Sequence, residues 1–215
     1  MQKSNKQKKN SQPLWNKGEL NILRSFDSPE SIQAYLDRIP YNPGDTCLSP
    51  RGVMRCRKAH CMEGALFAAA GLEFIGFKPN IVYIIADRDD GHALAIFKKN
   101  CKYGSLAKSN FTGLRYRSPI YRSIREVVLS YFEDYFNTKK ELTLRAYTQP
   151  LYLTNKLFSN WQTRESDLED ISDYLDTLRT YTIVTSKEAK SLRMVDDRLF
   201  KAGLFGADKK GLYKI

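Results

Sequence analysis

Histidine is nearly missing from this chain: 215 residues contain two, His60 and His92. Any chemistry that needs an imidazole must draw on one of them. Cysteine is scarce as well. Cys47, Cys56, Cys61 and Cys101 are too few and too irregularly spaced for a disulfide scaffold in a chain of this length. Reduced thiols, as in the cytosol, are the simpler expectation. No paired C-x-x-C knuckle occurs, which argues against zinc although Cys56, His60 and Cys61 lie close in sequence, with His92 and Cys101 further on. No metal and no organic cofactor are expected. No apolar run approaches the roughly 20 residues of a membrane span. The first seventeen residues hold Lys3, Lys6, Lys8, Lys9 and Lys17, no acid, and no apolar stretch like that of a secretory signal. Residues 1–18 therefore read as a disordered basic tail, and cytoplasmic residence is the expectation. There is no internal repeat, and no RRM, KH or helix-turn-helix signature.

What is present starts with a core. Hydrophobic residues make up 42% of the chain, enough to exclude global disorder. The formal charge is +11, which favours anionic partners. Ala93 to Arg125 contains eight lysines and arginines and no acid, and Leu48 to Cys61 contains Arg51, Arg55, Arg57 and Lys58 and no acid. A solvated basic face explains such runs as readily as a binding surface does. "NFTGLRYRSPIYRSIR" interleaves aromatics with arginines, as single-stranded nucleic acid requires. Tyr121, Ile120 and Ile124, however, fit a helical core stripe.

"SPESIQAYLDRIP" predicts a helix with Ser28 as N-cap and Pro29 in its first turn. "CMEGALFAAAGL", from Cys61, is apolar on almost every side, the mark of a helix buried all round. Ile81 to Ala86 reads as a central strand, Asp87 to Gly91 as a turn, and Ala93 to Phe97 as the next strand. A further turn and strand follow. Ser118-Pro119 is expected to open a long helix carrying Ile120, Ile124, Val127, Val128, Tyr131, Phe132 and Tyr135 on one stripe. Residues 141 to 153 read as extended or irregular. Two helices are then expected, one from Ser166 to Thr180 with a Ser166/Glu169 capping box, the other from Ser186 to Ala202. The layout is α+β: a buried N-terminal helix packed on an antiparallel sheet, with additional helices. Residues 19–155 are expected to form the main domain and 156–215 a helical C-terminal extension.

The quoted helix opens on a thiol. A helix start favours thiolate, through free N–H groups and the helix dipole. Successive helical side chains point about 100° apart, so His60 is poorly placed to pair with Cys61 and is expected to cap the helix or support the site. His92, opening a strand after a tight turn, is the candidate base. A buried, inert cysteine is the competing reading. Asp87, Asp89 and Asp90 read as turn residues, one of which would orient His92 if the hairpin folds back.

"HC-x-EGALFAAAGL" followed by "DDGHALAIF" resembles the transglutaminase-like superfamily, whose fold is papain-like. The likeness covers about Pro50 to Asn110. The chain is also similar to a bacterial group within that superfamily, in which "KSN", "LRYRSPIYRSIRE" and "SYFEDYF" follow the histidine. The resemblance implies Cys61 as nucleophile and His92 as base. It also calls for an aspartate on the strand after the histidine, but Gly104 to Asn110 holds no carboxylate. Asn110 is the expected orienting residue, as asparagine is in papain-like proteases; Ser105 and Ser109 are lesser alternatives. The aromatic that often follows the family's His-Ala pair is replaced by Leu94. The implied chemistry is cysteine-dependent acyl transfer or amide hydrolysis on a protein, peptide or small amide, through a thioester. Arg55, Arg57 and Lys108 are the candidate substrate-binding residues, and they would suit an anionic substrate. The alternative is a catalytically inactive relative acting as a basic nucleic-acid- or protein-binding module.

Overall fold

One helix without a polar side organises the fold. In the computed structural model, which describes residues 14 to 214, it runs Cys61–Phe74, and Met62 to Leu72 are buried without a break. Three helices precede it: α1 (Lys17–Arg24), α2 (Pro29–Arg38) and α3 (Pro50–Cys56), so it is α4. Small residues let its neighbours come close. A Cβ on Gly64 would stand 2.3 Å from Lys108 Cβ, and one on Gly71 would stand 3.1 Å from Ile32 Cδ1 on α2.

The sheet begins with β1 (Asn80–Ala86), β2 (His92–Lys99), β3 (Lys102–Leu106) and β4 (Arg117–Tyr121). After α5 (Ile124–Leu129) come β5 (Leu144–Thr148), β6 (Leu151–Tyr152), α6 (Glu169–Asp176), β7 (Thr180–Thr182), α7 (Ser186–Ala189) and α8 (Asp197–Gly203). Among the described residues the seven strands make one sheet in the order β4-β3-β2-β1-β5-β7, with β6 also on β1. Every pairing is antiparallel. Period-two alternation splits β2 between two cores. Ala93, Ala95 and Phe97 pack with α4, while Leu94 and Ile96 pack with Val127, Val128, Tyr131 and Tyr135. The mixed α+β class follows directly. No helix among the described residues is long and apolar enough to cross a membrane.

Several boundaries differ from expectation. The helix expected from Ser118 is instead β4, and α5 starts at Ile124 with Ser123 as its cap. Proline forces the residue before it into extended backbone, so Ser118-Pro119 favours the strand. Ile120, expected in the core, is 66% exposed on that strand. The Ser166/Glu169 capping box does not form, because α6 starts at Glu169 behind Leu168, which makes no side-chain cap. The expected 186–202 helix is broken into α7 and α8: Val195 turns in towards Phe136 and Leu142, and Asp196 caps a new start. The tail expected over 1–18 lies outside the described residues as far as residue 13. Its last residues instead open α1, whose Asn16 cap and Glu19 form a reciprocal box. The segment after residue 155 is not only helical. Strand β7 joins the sheet, and Trp161, Leu168, Ile171 and Leu175 enter the core that holds α2 and α4.

Candidate active site

Cys61 is the first residue of α4 and His60 is its cap. The Met62 amide donates to His60 Nδ1 at 3.2 Å, and the His60 amide donates to Glu63 Oε2 at 2.9 Å. Glu63 is fully buried, yet it is well satisfied. Its oxygens also accept from Asn42 Nδ2, from Thr46 Oγ1 at 2.8 Å and from the Leu48 amide at 3.1 Å. A buried carboxylate is tolerated on such terms, because charge-assisted bonds offset lost hydration. Glu63 thus ties the 42–48 loop to the start of α4. His60 Nε2 contacts the Thr46 carbonyl of the same loop.

His92 is buried at the start of β2. Its Nε2 bonds the Leu114 carbonyl at 2.8 Å, which makes Nε2 the protonated nitrogen and leaves Nδ1 for the thiol. Tyr131 and Tyr135 present ring edges on either contact, each with centroids 6.4 Å from the imidazole. The ring is thereby fixed by packing and by one main-chain acceptor. The Cys61 sulfur lies 3.7 Å from the Gly91 carbonyl, to which the neutral thiol donates.

Both imidazoles line the same cleft as that sulfur, and they reverse what burial alone would do. Burial disfavours the thiolate, but hydrogen bonds and charge from His60 and His92 outweigh it and bring the Cys61 thiol down to about 6. For His60, burial opposes the cation, while the Cys61 thiolate and the Glu63 carboxylate favour it more strongly and raise it to about 9. The bond accepted from Met62 belongs to the neutral ring, so protonation at Nδ1 exchanges a helix cap for an ion pair. Asp89, pushed up to about 6 by burial, takes a 2.7 Å bond from Thr143 Oγ1 and makes none to His92.

A cleft of about 590 Å³ opens beside this group, lined by Tyr41, Cys61, His92 and Asn110 among others. The remaining expected site residues stand elsewhere or act otherwise. Asn110 lines the cleft but is turned from the imidazole: Nδ2 donates to the Asp208 carbonyl at 2.8 Å and Oδ1 accepts from the Asp208 amide at 2.7 Å. The orienting acceptor for His92 is the Leu114 carbonyl instead, four residues further along the loop. Ser105 bonds Tyr131, and Ser109 accepts from the Phe111 amide. Lys108 is buried, with Nζ donating to the carbonyls of Leu36 at 2.8 Å and Ile39 at 2.6 Å, where it closes the end of α2. Arg55 is exposed and paired with Glu165 at 2.6 Å. Arg57, in the left-handed region with φ 52°, caps α3. None of these three cations lines the cleft.

Residues that sequence reasoning passed over are Glu63, Asn42, Thr46 and Leu114. Glu63 carried a signal, standing three positions after the His60 cap as in a capping box. Leu114 carried none, because its contribution is a main-chain oxygen. Among the described residues no group of three or more His, Cys, Asp or Glu side chains converges to hold a metal ion. Arg117, in the arginine-aromatic run, points inward, with its guanidinium 3.9 Å from the Tyr131 ring centroid and bonds to Ser130 and Gly113. Compared with known protein families and with curated proteins, the chain matches none.

Proposed function

We propose that this protein is a cysteine-dependent acyl transferase or amide hydrolase of the transglutaminase-like, papain-like kind. The observation that carries the reading is the thiol at the start of α4, which lines one cleft with two imidazoles and is brought down by them to about 6. A thiolate at neutral pH is the nucleophile such chemistry needs. The Cys61 thiolate attacks the carbonyl carbon of the substrate. The oxyanion forms beside the Cys61 amide, which neither the His60 cap nor the Glu63 bridge uses. His92, protonated at Nδ1, gives that proton to the departing amine, and a thioester remains. Water or a second amine then attacks the thioester, with His92 taking its proton and the sulfur leaving as thiolate. Leu114 keeps the other ring nitrogen protonated throughout, the role a carboxylate or amide side chain plays in related arrangements.

An activated ester tests this without knowledge of the natural acyl group. With p-nitrophenyl acetate, the expected result is a burst of nitrophenol, then steady turnover, with an acetyl mass on Cys61. Cys61→Ala should abolish both phases and His92→Ala should slow acylation and turnover alike. One acetylation without turnover, equally fast in His92→Ala, would sink the proposal. Retention on heparin in that case would favour the basic binding module.

A further inference from the structure

The cleft already contains a peptide, and it is the chain's own. Lys210 to Lys214 line the same space as Cys61 and His92. The segment is anchored at Asp208, whose amide and carbonyl pair with the two ends of the Asn110 amide, a grip that would hold any backbone. At Gly211 the fit is tight. A Cβ there would stand 2.6 Å from Tyr41 Cε1 and 3.2 Å from Asn110 Nδ2. Glycine is needed at that point for space.

Charge in the cleft runs against charge in the molecule. The chain carries +11, yet the cleft walls hold Asp45, Asp89, Asp90 and Glu169 with no lysine or arginine. The only lysines lining the cleft are Lys210 and Lys214, on the segment itself. Opposite charges set in one groove select partners by sign. The hold is also partial: Tyr213 and Lys214 are exposed, and past Gly211 no hydrogen bond joins the segment to the wall among the described residues. Asn110 shares its loop with Leu114, the acceptor for His92, and with Thr112, which binds the carbonyls at the end of α8. One loop thus holds the segment, the end of α8 and the imidazole.

We propose that this cleft takes a basic, glycine-containing peptide, and that residues 208–214 occupy its place until such a peptide displaces them. The inference rests on the cleft being the working site proposed above, and it names that site's ligand class. A tethered segment acts at an effective concentration of about 1 mM or more, so a free peptide competes only once the tether's fit is weakened.

The test uses the full chain and reads alkylation of Cys61 by iodoacetamide at pH 6.5, which needs no turnover. Gly211→Val removes the fit at Tyr41, and the double variant Lys210→Glu with Lys214→Glu reverses the charge. Each is expected to label about tenfold faster than the parent, the response to a shift of one decade in the closed population. A free peptide copying Asp208 to Lys214, at millimolar concentration, should slow labelling of Gly211→Val again, and a copy with glutamate for each lysine should not. Unchanged labelling in both variants would overturn the proposal, as would equal protection by the acidic copy. Failure of ester turnover with these results intact would strike only the catalytic reading.

Discussion

Cys47 and Cys61 line one cleft and are both penalised by burial, yet their thiols move in opposite directions. Burial, followed by the charge of Glu63, pushes Cys47 up to about 12. Burial also resists ionisation at Cys61, which nevertheless falls to about 6. Helix position alone does not account for the gap, since a dipole contributes only about 0.3–1 kcal/mol at an ordinary terminus. What differs is the pair of imidazoles. The contrast teaches that the apolar helix creates a penalty at its own first residue and that His60 and His92 reverse it.

The largest expected effect is the contrast itself. At pH 6 the two thiolate fractions should differ by roughly five orders of magnitude or more. Lower basicity blunts nucleophilicity, with a Brønsted slope of about 0.4–0.5, so the alkylation rates should differ by roughly three orders. Peptide mapping after iodoacetamide treatment at pH 6 measures this ratio, and comparable labelling of both cysteines would break the comparison. Labelling of Cys61 should rise with pH and reach half its plateau near 6, on the thiolate side of its lowered value. A midpoint near 8.5, the ordinary thiol value, would show that the imidazoles do nothing.

Next comes the Glu63 carboxylate, which raises the Cys47 thiol and bonds the cap of α4. Glu63→Gln keeps the shape but turns an acceptor-only group into one that also donates. Several donors from Asn42, Thr46, Leu48 and His60 then compete for one oxygen. A loss of about 3 kcal/mol is expected, within the range for breaking a buried charged network. Urea denaturation measures it, and a change under 1 kcal/mol would mean that the 42–48 loop is held by other contacts. A smaller, more local effect is expected of His92→Ala, which should slow Cys61 alkylation at pH 6 about tenfold by removing one of two stabilising partners. Cys47 should be unaffected, because His92 is not among the groups acting on it.

The sequence made α4 legible because Cys61 to Leu72 is apolar on all sides, and no other environment suits such a helix. Strands β1 and β2 were legible for the same kind of reason: branched residues bounded by the Asp87–Gly91 turn. The Asn100-Cys101 turn to β3, with φ of 49° and 60°, belongs to the tight hairpin class. Past Arg115 the reading weakened. The stripe expected from Ile120 to Tyr135 faces one core only from Ile124 onward, since strand pairing with β3 and the constraint before Pro119 place Ile120 on an exposed strand. In the site, Cys61, His92 and the capping role of His60 could be named from sequence, but not that His60 also lowers the Cys61 thiol. Their supports could not, because Leu114 acts through its main chain and Asn110 is engaged by residues about a hundred positions away. The cations were misplaced for a related reason. Charge runs in sequence do not say which face they reach, and Arg55, Arg57 and Lys108 all turn to helix ends or to the surface.

Lys108 supplies the smallest effect and sharpens the comparison from outside the cleft. It lies on the chain between β3 and Asn110, and burial lowers its ammonium group from the ordinary value. Its two bonds satisfy carbonyls that α2 leaves open at its C-terminal end, where a cation is favoured. Its Cβ also forms the wall against Gly64. Lys108→Met keeps the packed stem and removes only the charge and the donors. The expected cost is about 1–2 kcal/mol, that of leaving buried acceptors unpaired. Labelling of Cys61 at pH 6 should stay within about twofold of the parent, since no lysine contributes to its ionisation. A slower thiol with unchanged stability would place this ammonium in the electrostatics of the site. A weakened α2 with an unchanged thiol would confine the cysteine contrast to the two rings at positions 60 and 92.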